Sequence, residues 1–340
     1  MSGEDNSSYD DTTVLHSEIA IPYLVRFWII LLFYIPSIIC SLFVFYHFII
    51  NRTLRQALHN HVIFLLLFIN LIVQLTSIPW ILNYYRLGNV WPQNPLFCLT
   101  WIFIDEALYI TTTILFAWAT IERHILIFHD QLVSTKYKFI FFHYLPIVII
   151  LLYCISYNII AIILPPCENK FDYTQLVCGY PLCYYEFPFV ATWDVVVNDI
   201  IPTIIIIFSS IALLLRVVYQ KYRMRRPIRW RNHRKMTIQL ISISVLYLIL
   251  YIPKMLMEFI YICGISEDFG ADFMSYAEFF AYYGIVFLPF VCTGSMPELK
   301  SSIKKIFPYW QQQTRIVGPQ TIRLSRRAVD PHLKVTTIVP

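Results

Sequence analysis

Seven stretches of this chain are predominantly apolar over roughly twenty residues or more, the length that crosses about 30 Å of hydrocarbon at 1.5 Å of rise per residue. Their limits are about 23–50, 61–82, 97–128, 138–164, 192–219, 236–263 and 275–296. Within a bilayer no water satisfies backbone N–H and C=O groups, so such segments must be helices or strands of a closed barrel. Pro36, Pro79, Pro146, Pro202, Pro253 and Pro289 fall inside six of the runs. They argue against strands and read as kinks in transmembrane helices. With 58% hydrophobic and 14% charged residues and a mean hydropathy of +0.61, a soluble globular domain is excluded. The fold class expected is an all-α membrane protein, a seven-transmembrane helix bundle over 21–297.

The basic residues predict its orientation. Of 26 Lys and Arg, two lie in 51–60, three in 123–138, nine in 216–235 and eight after 297; the others are Arg26, Arg86, Lys170 and Lys254. Positive charge accumulates on the cytoplasmic side, so the odd-numbered connections and the tail (309–340) are expected inside and residues 1–20 outside. The chain is expected in the plasma membrane as a multi-pass protein. Residues 1–20 show no apolar core with a small-residue cleavage site, so the first run is read as the insertion signal. Asn6-Ser7-Ser8 is a candidate glycosylation site on the outer side, whereas Asn51-Arg52-Thr53 falls inside. Residues 298–308 read as a short amphipathic eighth helix, Leu299, Ile303, Ile306 and Phe307 set against Lys300, Lys304 and Lys305, lying on anionic lipid. The basic loop before the sixth run is read as a topology determinant that also meets lipid and an inner partner; a patch abutting the membrane does not suit nucleic acid.

Cysteine placement narrows the outer loops. Cys40, Cys154 and Cys292 lie in the runs and read as small packing residues. Cys98, Cys167, Cys178 and Cys183 lie at the outer face, where disulfides form, and allow three pairings. Phe171-Asp172-Tyr173-Thr174 suits the tip of a hairpin with Cys167 opposite Cys178. The preferred pairing is therefore Cys98 with Cys183, and Cys98 with Cys178 is the second choice.

Glu122-Arg123-His124 closes the third run. Ionisable groups are costly in hydrocarbon and survive at helix ends, in cavities or in pairs; the plain reading is a pair snorkelling to the interface. Spacing argues for more. Trp91 precedes Cys98 by seven residues and Arg123 follows it by 25, while Asn60, Asn70 and Pro79 mark the second run, Pro202 the fifth and Pro253 the sixth. In these landmarks the chain resembles the rhodopsin-like (class A) G-protein-coupled receptors, over about 21–308. The resemblance implies an Arg123 that switches between Glu122 and a heterotrimeric G protein as the sixth helix moves outward, with His124, Tyr251, Pro253 and Pro289 in the same switch.

The match is uneven. Asn70 stands where the family has a sodium-binding Asp, and its plain reading is an interhelical hydrogen bond. Tyr251 replaces the usual Trp before the sixth-run proline, Ser210 a fifth-run Tyr, and Leu288-Pro289-Phe290-Val291-Cys292 the usual Asn-Pro-x-x-Tyr.

By the same resemblance Asp105, about 10 Å inward of Cys98 along a helix, takes the place of the acid that pairs with cationic ligands, supported by Tyr282. Tyr109 lies one turn further in, and Lys254, Glu258 and Glu278 complete the candidate ligand-binding set; Glu278 and Tyr282 share a helix face. An alternative use of Asp105 is an internal salt bridge to Lys254. A hairpin-like second outer loop and acids at Glu186, Asp194, Glu258 and Glu278 favour a peptide with a basic group; an amine is the alternative. No cofactor, metal site or enzymatic role is expected. The seventh run lacks the lysine of an opsin, no repeat suggests a transporter, and no polar stripe suggests a channel. A ligand-binding seven-helix protein that does not signal is the competing class.

Overall fold

The computed structural model describes residues 19–52, 60–128, 137, 140–180, 182–223, 227–266 and 268–295. Asn6 and the amphipathic segment 298–308 lie outside them. Among the described residues, seven helices are long and apolar enough to cross a membrane: Tyr23–Ile50, His61–Leu87, Pro95–Leu126, Ile140–Ile163, Pro188–Arg216, Ile238–Ile262 and Ala271–Ser295. They are called the first to seventh spans. The second runs several residues beyond its apolar core because Tyr84 and Tyr85, next to Asn83 and Arg86, are buried against neighbouring helices; hydropathy alone misses aromatic residues that pack while their flanks are polar.

The spans present apolar residues outward. Along the first, Leu32, Ile35, Ile39, Leu42, Tyr46 and Ile49 recur at helical spacing and are all exposed, while Ser37 and Ser41 are buried. This inverts the amphipathic pattern of a soluble helix and is what lipid selects.

Inside, polar side chains join helices that hydrophobicity cannot drive together in lipid. Ser41 Oγ donates to Gln74 Oε1 (2.8 Å), and Gln74 Nε2 donates to Ser37 Oγ (2.7 Å) and to the Ile285 carbonyl (3.1 Å). Ser37 Oγ then donates to the Val286 carbonyl (2.7 Å), closing a network across the first, second and seventh spans. The sixth and seventh spans approach closely at Gly284, where a Cβ would stand 2.8 Å from the Tyr251 ring.

The prolines sit within helices, as expected, and the freed backbone groups are handled locally. A π-helical segment, Asp194–Ile200, precedes Pro202. In the second span Thr76 breaks the helix three residues ahead of Pro79, and its hydroxyl donates to the Ile72 carbonyl (2.7 Å). Arg26, an isolated basic residue in the sequence, ties down the chain ahead of the first span. Its guanidinium donates to the carbonyls of Ile19 (2.6 Å) and Ile21 (2.7 Å) and lies over the rings of Tyr23 and Tyr85.

The disulfides are Cys98–Cys178 and Cys167–Cys183. The preferred pairing of Cys98 with Cys183 is thus overturned in favour of the second choice. The cause lies in the loop, which is no hairpin: its described residues form turns and two short 3-10 helices, Leu176–Gly179 and Cys183–Glu186. Asp172 Oδ1 accepts from the backbone and hydroxyl of Thr174, and its backbone N–H reaches the Cys178 carbonyl (3.0 Å). Cys183 is drawn to Cys167 instead, its N–H donating to Asn169 Oδ1 (3.1 Å). Val177, Cys178 and Tyr180 all take left-handed backbone conformations (φ 50°, 55° and 44°), Gly179 between them. For a β-branched residue that is strained by about 1–3 kcal/mol, and it persists only where the surroundings dictate it. Cys263 is a free, exposed thiol at the end of the sixth span.

Candidate functional site

The strained turn carries Tyr180 over a cavity of about 430 Å³ walled by the third, sixth and seventh spans. Its lining includes Asp105, Glu106 and Tyr109 from the third span, Tyr251 and Lys254 from the sixth, Glu278 and Tyr282 from the seventh, and Gln175, Leu176 and Tyr180 from the loop. Asn70 and Phe116 lie deeper, with Tyr247. A cavity of this size suits a small ligand or the end of a larger one.

Asp105 is held by two phenols. Tyr180 Oη donates to Asp105 Oδ2 at 2.6 Å and Tyr282 Oη to the same oxygen at 3.1 Å, the two hydroxyls being 3.0 Å apart. Burial, and after it the Asp105 charge, hold the Tyr180 phenol well above its ordinary value, so it stays a donor. Lys254 is engaged elsewhere. Its Nζ makes an ion pair with Glu258 one helical turn on (3.3 Å) and lies 5.1 Å from the centre of the Tyr109 ring. The internal Asp105–Lys254 salt bridge is therefore not formed, because the i,i+4 carboxylate is nearer on the same helix. Glu258 stands behind Lys254 rather than among the lining residues.

Asp194 is not a cavity acid. It is buried, and its carboxylate accepts from Tyr157 (2.8 Å), Asn198 (2.7 Å), Tyr184 (3.0 Å) and Tyr185 (3.0 Å). Tyr153 Oη donates to Asn198 Oδ1 (2.7 Å) and receives the Trp193 indole N–H (3.2 Å), extending the network. The Tyr184 phenol is pushed up by burial and then by Asp194. These donors brace the loop after Cys183 to the fourth and fifth spans.

A second constellation lies at the other end of the third span, about 36 Å along the helix from Cys98. Glu122 and Arg123 are both buried. The Glu122 carboxylate is in close contact with His143 Nδ1 of the fourth span, and His143 Nε2 lies 3.1 Å from His61 Nδ1 of the second. The Glu122 carboxylate, expected to hold its neighbour Arg123, thus also has a histidine partner from another helix, and the Arg123 guanidinium stays within its electrostatic reach. His124 Nε2 lies 2.7 Å from the Ser209 carbonyl of the fifth span.

The remaining sequence-derived residues divide between these two places. Tyr251, expected with the switch, lines the cavity and stacks on Tyr247 (4.6 Å), whose hydroxyl donates to Thr113 Oγ1 (3.1 Å). Pro253 and Pro289 lie inside the sixth and seventh spans, Pro289 buried. Asn70 faces the cavity, and its Nδ2 has no hydrogen-bond partner among the described residues. Tyr180, Glu106 and His143 are not among the residues to which the sequence points. Tyr180 and His143 gave no local signal, but Glu106, an acid beside Asp105 in an apolar run, could have been found on the same grounds as its neighbour.

No family model matches the sequence, and no curated protein matches it either. Among solved structures, squid rhodopsin superposes with a TM-score of 0.65, at 15% identity, over 86% of this chain and 88% of that one. The chain has the rhodopsin-like seven-helix fold.

Proposed function

We propose that this protein is a receptor of the rhodopsin-like type: an extracellular ligand with a basic group, a peptide in the first instance, enters the cavity and biases the bundle toward a form that engages a heterotrimeric G protein. The observation that carries the reading is the cavity itself, covered in part by the disulfide-linked loop and lined, among the described residues, by Asp105, Glu106 and Glu278 against the one amine of Lys254. Acids in a helix bundle that face a cavity mark a candidate binding path, because ionisable groups are costly in hydrocarbon. The basic loops support an orientation with this end outside and Arg123 at the inner face.

A ligand can shift the bundle only by binding one form better than the other. The sixth span is placed for that, because Tyr251 and Lys254 line the cavity while the same helix continues toward the Arg123 end. An opening at that end could receive a partner helix in its groove.

A screen of basic peptides and biogenic amines against cells expressing the chain, read as nucleotide exchange on a panel of G proteins, tests the reading. The expected result is exchange driven by at least one basic ligand and lost in Arg123→Ala. Ligand binding with no exchange on any G protein would instead favour a non-signalling binding protein.

A further inference from the structure

Lys254 is outnumbered. Its ammonium group lies within electrostatic reach of Glu258, Glu106, Glu278 and Asp199, and it forms an ion pair with Glu258 alone (3.3 Å). Glu106 and Glu278 face the cavity, and neither carboxylate is hydrogen-bonded among the described residues. On the fifth-span side Asp199 is 8% exposed and its Oδ1 has no hydrogen-bond partner there, nor has Glu258 Oε2. Crowded acids in a buried site are held either by protonation or by counter-ions, and a cation that fills the cavity supplies the second.

The two adjacent acids of the third span face different ways. Consecutive helical residues diverge by about 100°. Asp105 turns toward Tyr180 and Tyr282, and its carboxylate is already met by their hydroxyls. Glu106 turns toward Lys254 and the acids of the fifth and sixth spans. The face of the Tyr109 ring is taken by the Lys254 ammonium, 5.1 Å from its centre, which leaves the Glu106 carboxylate as the partner for a further cation.

We propose that the cavity holds two cation subsites, Asp105 with Tyr282 on one side and Glu106 on the other, and that its ligand carries two positive groups. The inference rests on the reading of this chain as a ligand-binding receptor and names the ligand class. One ligand cation meets Asp105. The second meets Glu106 and supplies the charge that Lys254, committed to Glu258, does not.

Binding to the purified full-length chain in detergent tests it, by calorimetry with argininamide and α,ω-diaminoalkanes of graded length, each against its monocation, Nα-acetyl-argininamide or the 1-aminoalkane. At least one dication is expected to bind about tenfold or more tightly than its monocation, the size of one added ion pair in a partly dry site. Glu106→Gln should abolish that advantage, Glu106→Asp should retain it in part, and Asp105→Asn should weaken dication and monocation alike. Equal binding of each pair, no binding by any dication, or an advantage untouched by Glu106→Gln overturns the inference. Nucleotide exchange on the same preparations separates it from receptor function. Dication binding without exchange upholds the subsites and removes the coupling; exchange driven by a monocation regardless of Glu106 does the reverse.

Discussion

Asp194 accepts hydrogen bonds from three phenols and an amide, so nothing is left for a ligand to supply. Asp105 accepts from Tyr180 and Tyr282 at the edge of a cavity that a ligand can enter. Substitution should separate the two roles. Asp194→Ala leaves several buried donors without an acceptor at about 1–3 kcal/mol each, and a clear fall in the thermal midpoint in detergent is expected, with Asp194→Asn milder. Asp105→Asn should leave that midpoint nearly unchanged and lower the affinity for basic ligands. An Asp194→Ala protein as stable as the parent would show that the bracing network carries no weight. Sequence reading grouped Asp194 with the ligand acids because an acid in an apolar run looks the same whether its partners come from the chain or from a ligand. The approach of Tyr157, Tyr184, Tyr185 and Asn198 distinguishes them.

Among the elements, the loop from Cys167 to Cys183 is where folding and site meet. The Cys98–Cys178 bond and the left-handed run at Val177–Tyr180 aim Tyr180 at Asp105. Cys178→Ser should therefore reduce ligand affinity more than Cys167→Ser, and peptide mapping under non-reducing conditions should recover Cys98 joined to Cys178. Recovery of Cys98 joined to Cys183 would contradict this loop. Sequence counted the four cysteines correctly but favoured a hairpin. It could not weigh Asp172 and Asn169, whose side chains organise the turn. The contact between the sixth and seventh spans offers another test. Gly284→Ala pushes a Cβ against Tyr251, and overpacking of this kind costs about 1–3 kcal/mol. That loss should shrink in a Tyr251→Ala background, a coupling that a double-mutant cycle reads directly; additive losses would contradict the close approach.

Across the whole molecule, the seven spans and their proline positions were legible because hydrocarbon forces long apolar helices whatever their packing. The ties between them were not. Ser37, Ser41 and Gln74 read as isolated polar residues, and their network with the seventh span exists only once three helices meet. His143 likewise gave no hint that it would join Glu122. If the bundle works as one two-state body, what is felt at Asp105 must be felt about 27 Å along the helix at Arg123, and coupling between the two ends is reciprocal. The decisive measurement is the affinity of a basic agonist for the purified chain with and without nucleotide-free G protein, in the parent and in Arg123→Ala. The account predicts that G protein tightens agonist binding by about 5- to 150-fold in the parent and not at all in Arg123→Ala, with affinity in its absence the same for both. An agonist affinity indifferent to G protein in the parent would contradict it.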